Sequence, residues 1–144
     1  MEFKGLKMRL IKNAIQTPDG TVLESRHIHD YVVYLDKITG EQYMVDGGLY
    51  YTRTNVNKVP AKPLYVYLED DHEVVREACT WGTRGKDGKS PLKIVKLSEM
   101  STDHIQACLD TQYSMHAHYR EAFRNELDYR KRSVVFNSAL CDND

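Results

Sequence analysis

The residues best suited to chemistry lie between positions 25 and 53, around a Gly47-Gly48 turn. This segment combines two imidazoles, two carboxylates, two guanidiniums and a tyrosine, namely Arg26, His27, His29, Asp30, Asp46, Tyr51 and Arg53. If His27 and His29 lie on one strand, they point to the same face, where two metal ligands could lie. Asp46, across the turn, could be a third ligand. One small β-unit could therefore bring these side chains together.

Three interpretations of this cluster remain open. Its charged side chains could hold the Gly-Gly turn through hydrogen bonds and ion pairs, or they could bind a ligand. In the third interpretation the cluster holds a catalytic metal, which needs an open coordination position and a positioned base. A metal-dependent nuclease or phosphoesterase of this kind would be centred on His27, His29, Asp30 and Asp46.

A second candidate site is Trp81 with the glycine-rich stretch that follows it. Its residues of interest are Trp81, Arg84, Lys86 and Lys89. An aromatic ring, positive charge and backbone amides suit a phosphate or a nucleobase. The stretch is not predicted to be a Walker loop, because no helix is expected to begin there. The alternative is a solvated hairpin with a core tryptophan at its base.

These residues need elements to position them, and the first half of the chain has the composition of β-strands. Apolar and β-branched runs predict strands at 8–11, 22–25, 28–35 and 42–45, separated by turns that contain Asp-Gly or Thr-Gly. Strands joined in sequence by short turns form an antiparallel meander. Residues 55–63, with two prolines and two asparagines, are linker-like.

The second half begins with a strong strand pattern at 64–68. Residues 73–81 fit either a helical face or strand alternation, and we favour a strand because residues 82–88 resemble a hairpin loop that leads into a strand at 92–97. Ser101 or Thr102 can cap a helix, and a second helix is predicted from about His116 to about Arg132.

The fold class is therefore predicted to be α+β, with antiparallel hairpins followed by two amphipathic C-terminal helices packed on the sheet. We expect one domain over residues 1–144, with sub-units at 1–54 and 64–144 and the linker-like segment between them. The acidic tail at 141–144 is expected to be frayed. The charged face of the second helix, residues 120–132, alternates in sign and is expected to be solvated.

Composition narrows the functional classes. The formal net charge of −1 does not favour nucleic acid, although a local basic face can exist on a neutral chain. Three cysteines without a C-x-x-C pair predict packed thiols in a reducing compartment. No apolar run is long enough for a membrane span, so we expect an intracellular protein. No motif indicates an enzyme or a cofactor. Ten tyrosines suit half-buried strands or a contact surface.

The first segment resembles a family of small uncharacterised phage proteins with the pattern Ser-x-His-x-His-Asp-aromatic, Val-Asp-Gly-Gly and Tyr-x-Arg. The matching residues are Ser25, His27, His29, Asp30, Tyr31, Val45, Asp46, Gly47, Gly48, Tyr51 and Arg53. That pattern also includes two cysteine pairs, expected here near 14–17 and near 34–36, where the chain has none. The zinc ribbon that the resemblance implies cannot form, so hydrogen bonds and packing must replace the metal.

The C-terminal half resembles a module shared by hypothetical proteins of tailed phages. The resemblance is carried by Trp81-Gly82-Thr83-Arg84-Gly85-Lys86-Asp87-Gly88, Pro91-Leu92, Leu97, Met100-Ser101-Thr102-Asp103-His104-Ile105 and Glu126-Leu127-Asp128-Tyr129-Arg130. Both resemblances imply an accessory protein of a phage, acting in the cytoplasm of an infected bacterial host.

The leading hypothesis is a non-enzymatic phage protein that binds and inhibits, or redirects, a host or antiphage-defence macromolecule. The second hypothesis is a sponge that captures a nucleotide signal at Trp81 and residues 84–89, or at His27, His29 and Arg53. The third is the metal-dependent enzyme described above. Self-association into a symmetric oligomer is a base-rate expectation.

Overall fold

A computed structural model describes residues 2–3, 6–85 and 87–142 of the chain. The chain divides into two compact units, Met1–Asp70 and Asp71–Asp144. The first contains antiparallel strands and the second contains three α-helices and a hairpin, which confirms the predicted α+β class and its two C-terminal helices. Among the described residues, no helix combines the length and apolar character that crossing a membrane requires.

The first unit consists of short strands, all paired in the antiparallel sense. They are β1 (Glu2–Phe3), β2 (Leu6–Lys7), β3 (Leu10–Gln16), β4 (Val22–Ser25), β5 (Val32–Leu35), β6 (Gln42–Asp46), β7 (Arg53–Thr54), β8 (Lys62–Pro63) and β9 (Val66–Tyr67). Strand β3 pairs with β4 on one side and with β8 and β9 on the other, while β5, β6 and β7 form a separate sheet in that order.

The core of this unit lies between these two sheets. Ile15, Leu23, Tyr43 and Val45 are buried together, and Val32, Tyr34, Ala61 and Tyr65 pack against them. Strands β4 and β5 supply alternate residues to this core, so their remaining side chains face outward.

The segment predicted to be a linker contributes to the first unit. Within residues 55–63, Lys62 and Pro63 pair with β3, and the Tyr43 hydroxyl donates a hydrogen bond to the Val59 carbonyl oxygen. The strand predicted at 64–68 is reduced to β9, which also pairs with β3. The linker prediction is therefore wrong at its C-terminal end, because long-range pairing with β3 orders these residues.

The second unit begins with helix α1 (His72–Ala78), followed by β10 (Thr80–Thr83) and β11 (Lys93–Lys96). A 3-10 helix (Leu97–Glu99), α2 (Thr102–Thr111) and α3 (Ala117–Asp142) complete it. Of the two residues predicted to cap this helix, Ser101 is the N-cap of α2, and its side chain accepts a hydrogen bond from the His104 amide. The core includes Val75, Leu97, Ile105, Ala122 and Phe123, all fully buried.

The predicted strand over residues 73–81 is wrong for most of its length. Residues 72–78 are helical, with Val75 buried and Val74 half exposed. Helical spacing places His72 and Arg76 on one face of α1, from which both reach Glu126 of α3. Helix α3 continues through Asp142, ten residues beyond the predicted end. The prediction of a frayed tail is therefore wrong for residues 141 and 142.

Candidate functional site

The Gly47-Gly48 turn is held by one buried side chain that sequence analysis missed. The Asn13 amide nitrogen donates to the carbonyl oxygens of Asp46, Gly48 and Tyr51, at 3.0, 2.9 and 3.0 Å. Because three acceptors surround it, the amide must present its NH2 group to the turn. Asn13 is fully buried within β3, where asparagine is otherwise disfavoured, and that mismatch was the available signal.

Both glycines of the turn are required by geometry. Gly47 and Gly48 have φ angles of +110° and +55°, which favour glycine. A β-carbon on Gly47 would lie 2.0 Å from the Tyr51 carbonyl oxygen, and one on Gly48 would lie 2.5 Å from the His27 carbonyl carbon. The turn therefore sits directly against the backbone of the histidine segment.

The histidine segment is a turn and not part of a strand. Strand β5 begins only at Val32, and the Asp30 amide donates to the His27 carbonyl oxygen at 2.9 Å. The Ser25 hydroxyl donates to the Asp30 carbonyl oxygen and accepts from the Gly48 amide. The prediction that His27 and His29 share a strand face is therefore wrong, because these local bonds fold the chain back; both histidines are exposed.

The two carboxylates of the cluster are already occupied by protein donors. Asp30 accepts a hydrogen bond from the Arg26 amide at 2.8 Å. Asp46 is buried, accepts from the Gly47 amide at 2.8 Å and pairs with the Arg53 guanidinium at 3.0 Å. The Tyr51 hydroxyl lies 3.4 Å from the same Asp46 oxygen as Arg53. The structure thus joins the predicted residues into a hydrogen-bonded support for the turn.

No group of three or more His, Cys, Asp or Glu side chains within the described parts of the chain could hold a metal ion. Asp46 directs its two oxygens to Gly47 and Arg53, and the two histidines lie on an exposed turn. The geometry does not assemble the ligand set that the metal-dependent interpretation needs.

The phage-family pattern expects cysteines near residues 14–17 and 34–36. In this chain, hydrogen bonds of Asp19 and Asp36 connect the turns at these two places. Asp36 accepts hydrogen bonds from the Asp19 and Thr39 amides, and Asp19 accepts from the Tyr34 hydroxyl and the Lys37 amide. Hydrogen bonds from Thr21, Tyr34 and Lys37 hold the pKa of Asp19 well below its usual range. Burial would raise the pKa of Asp36, but the Thr39 and Asp19 amides outweigh it and lower that pKa.

The second candidate site is a hairpin loop with its tryptophan packed at the base. The Trp81 ring meets the buried Phe123 ring edge-on, with centroids 5.5 Å apart. Arg84 and Lys89 are exposed, while Lys86 lies outside the described residues. The Ser90 amide donates to the Arg84 carbonyl oxygen at 2.9 Å and closes the loop. The geometry fits the hairpin interpretation better than a nucleobase platform, because Trp81 stacks within its own unit.

A buried carboxylate in the second unit is the strongest charged cluster and was missed. Glu126, predicted on a solvated face, is fully buried. It accepts hydrogen bonds from Arg76 at 2.9 and 2.7 Å, from Arg130 at 2.7 Å, and lies 2.9 Å from the His72 Nε2 atom. Burial would raise the pKa of Glu126, but these hydrogen bonds outweigh it and lower the pKa to about 2.

This cluster ties three parts of the second unit together. The Arg130 guanidinium also donates to the carbonyl oxygens of Leu97 and Met100 and to the Thr102 hydroxyl. The Arg76 guanidinium lies 4.6 Å from the centroid of the Tyr129 ring. Every oxygen of Glu126 is therefore paired, and the arrangement is that of a structural ion network.

Two grooves lie away from all predicted site residues. In the first unit, a groove of about 320 Å³ runs past Tyr43, Pro60 and Tyr65. In the second unit, a groove of about 390 Å³ lies between α2 and α3 and is lined by charged side chains that include Arg124 and Asp128. Neither groove brings together a nucleophile and a general base, which are the groups that an active site of this kind requires.

Comparison of the chain with protein-family models, with curated proteins and with solved structures finds no match.

Proposed function

We propose that the chain is a non-enzymatic phage accessory protein that binds a host or antiphage-defence protein and inhibits or redirects it. The observation that carries the proposal is a row of exposed apolar side chains in β5 and directly before it. The two resemblances to phage proteins support a phage origin for the protein. They also support the cytoplasm of an infected host as its place of action.

The row consists of Tyr31, Val33 and Leu35, which occupy every second position. Their exposed fractions are 56, 37 and 64%. The intervening residues Val32 and Tyr34 pack on the core, so Val33 and Leu35 lie on the opposite, exposed face of β5, and the exposed Tyr31 directly precedes the strand. Contiguous apolar side chains on a surface are typical of sites that bind other proteins.

The backbone of β5 supports the same function. In the described sheet β5-β6-β7, β5 is an edge strand that pairs only with β6. Exposed edge strands usually carry charged residues that prevent pairing with other chains, but the sequence of β5 is Val-Val-Tyr-Leu. An extended segment of a partner could pair with this edge, with specificity from the alternate side chains of the row.

The aromatic end of the row has a cation beside it. The Arg53 guanidinium lies 5.9 Å from the centroid of the Tyr31 ring while it pairs with Asp46. Tyrosine and arginine are enriched at protein interfaces because each offers a large contact area together with hydrogen bonding. The cluster around the Gly-Gly turn would then serve to position one end of the binding surface.

The test is affinity capture from bacterial host lysate with the tagged protein and a Val33→Lys, Leu35→Glu double variant. We expect the wild type to enrich one or a few host proteins, and the double variant to lose them by at least tenfold. The matched control is Val22→Lys, which changes an exposed apolar strand residue of the same unit outside the row. Circular dichroism checks that all three proteins are folded.

Capture that is equal for the double variant and the wild type would contradict the proposed surface. The absence of any enriched host protein for the wild type would contradict the binding function itself. Size-exclusion chromatography at the same concentrations separates binding to a host protein from self-association through β5.

A further inference from the structure

The groove of the first unit lies where its two sheets end side by side. Strands β7 and β8 are the end strands of the described sheets β5-β6-β7 and β4-β3-β8, and residues 55–61 connect them. Three buried residues form the floor of the groove, namely Ile15 of β3 with Tyr43 and Met44 of β6. Because Ile15 and Tyr43 belong to the core, the groove leads from the surface to the core of this unit.

Every residue that lines this groove is uncharged, and its walls include Pro60, Ala61 and Tyr65. The lysines of the same segment, Lys58 and Lys62, are exposed and do not line the groove. Its volume of about 320 Å³ is at the lower end of the range that holds small-molecule ligands. An ion would lose hydration in this groove without gaining a counter-charge, so the lining favours a neutral ligand.

Two asparagine side chains in the lining are oriented by one backbone carbonyl group. The amide nitrogens of Asn55 and Asn57 donate to the Gln42 carbonyl oxygen at 3.0 and 2.9 Å. A carbonyl oxygen accepts only from a donor, so this contact decides which end of each amide faces the sheet. Within residues 2–3, 6–85 and 87–142, no donor bonds to either amide oxygen. The groove therefore carries two hydrogen-bond acceptors on side chains that the fold already holds in place.

The segment 55–61 is held against the sheet at two further points. The Tyr43 hydroxyl donates to the Val59 carbonyl oxygen, and the Lys58 amide donates to a Glu41 carboxylate oxygen at 3.1 Å. These bonds fix the wall of the groove before any ligand enters. Sites for small molecules are usually preformed in this way, because ordering a loop on binding would weaken affinity.

We propose that this groove binds the base of a neutral nucleoside that carries an exocyclic amino group, such as adenosine or cytidine. A nucleobase has two flat faces that pack on aromatic and apolar side chains, here Tyr65 and the apolar floor. The amino group of adenine or cytosine is a hydrogen-bond donor, which the oxygens of Asn55 and Asn57 would accept. A nucleoside has no phosphate, so it needs no cation in the lining.

A proline-rich peptide fits this groove less well. Such peptides bind in grooves lined by exposed aromatic rings. Of the two aromatic residues in the lining, Tyr43 is fully buried and its hydroxyl is bonded to the Val59 carbonyl oxygen. Tyr65 is then the one ring left for a proline to pack on, and the two asparagine oxygens would find no donor on a proline.

The experiment is isothermal titration calorimetry of the full chain with two matched pairs of nucleosides. Inosine and uridine differ from adenosine and cytidine by an oxygen in place of the amino group. We expect adenosine or cytidine to bind, and its counterpart to bind about fivefold more weakly, because its oxygen cannot donate to an asparagine oxygen. This comparison uses wild-type protein alone and does not depend on the folding of a variant.

The test variant is Asn55→Ala combined with Asn57→Ala. We expect it to bind the amino nucleoside at least fivefold more weakly and to lose the preference over the counterpart. The matched control is Glu41→Ala, which removes the acceptor of the Lys58 amide from the same segment and keeps both asparagines. It should change the affinity by less than twofold. Circular dichroism checks that both variants are folded.

The absence of binding by any of the four nucleosides at millimolar concentration would overturn the proposal. Equal affinity for both members of each pair would overturn it as well, and so would AMP that binds more tightly than adenosine. Decaproline peptide that binds when the nucleosides do not would identify a peptide groove instead. The Val33→Lys, Leu35→Glu variant should bind the nucleoside as the wild type does, so failure of this proposal and failure of the proposed function are distinguishable.

Discussion

The guanidinium of Arg76 forms a two-point ion pair with the fully buried carboxylate of Glu126, fifty residues away in sequence. Arg130 and His72 complete the shell around this carboxylate. Bidentate pairing is stronger and more directional than a single contact, so it fixes the position of α1 on α3.

Glu126→Gln should destabilise the second unit by about 3–5 kcal/mol, because Arg76 and Arg130 would be left without their buried counter-charge. The substitution keeps the size of the side chain, so the loss would be electrostatic. Urea unfolding monitored by Trp81 fluorescence measures it, since this chain has a single tryptophan and it lies in the second unit. Asp128→Asn, at an exposed position of α3, is the matched control and should change stability by less than about 0.5 kcal/mol. A loss for Glu126→Gln as small as this control would contradict the buried network.

The stability of the second unit should depend on pH through Glu126. Its pKa is lowered to about 2 in the folded chain from an ordinary value of 4.5. A lowered pKa stabilises the folded state above the unfolded-state pKa, and this contribution is lost as the pH falls from about 5 towards 2. The advantage of wild type over Glu126→Gln should therefore be full at pH 7 and shrink steadily below pH 4.5. Urea unfolding of both proteins at pH 7, 5, 4 and 3 tests this, and a constant difference would refute it.

Gly47→Ala should destabilise the first unit far more than Gly40→Ala. Both glycines have positive φ angles, but a β-carbon on Gly40 meets nothing within 4 Å, while one on Gly47 meets the Tyr51 backbone. Backbone strain alone costs about 1–2 kcal/mol, which is the expected loss for Gly40→Ala. Thermal unfolding followed by far-ultraviolet circular dichroism compares them. Similar melting temperatures for the two variants would show that the turn is looser than the contacts of Asn13 indicate.

The thiols of Cys79 and Cys108 should not react in the folded protein. Both thiols are buried. Burial, with a smaller contribution from the charge of Glu126, raises the pKa of Cys79 to about 12. Burial also raises the pKa of Cys108. In a Cys141→Ser background, Ellman's reagent should label no thiol at pH 8 and two thiols in denaturing urea, because the thiolate is the reactive form. Rapid labelling without urea would mean that the second unit opens readily.

Local patterns were sufficient for the elements whose signals lie in adjacent residues. Strand β4 was predicted with its observed bounds, and Ser101 caps α2 because a hydroxyl directly before a helix bonds to a backbone amide of its first turn. The hairpin after Trp81 was likewise predictable from its glycines and flanking apolar runs. The packed thiols of Cys79 and Cys108 followed from cysteine usage, and their burial confirms that prediction.

The sequence by itself determined the α+β class, the turn chemistry and the starts of the two C-terminal helices. Only the tertiary structure decided that residues 72–78 are helical, that His27 and His29 lie on an exposed turn, and that Asn13 and Glu126 are buried. The burial of Asn13 and Glu126 depends on partners 33 and 50 residues away in sequence, which the periodicity of the sequence does not reveal. Distant groups pair with the Asn13 amide nitrogen and with both carboxylate oxygens of Glu126, and these partners come within reach only once the chain has folded.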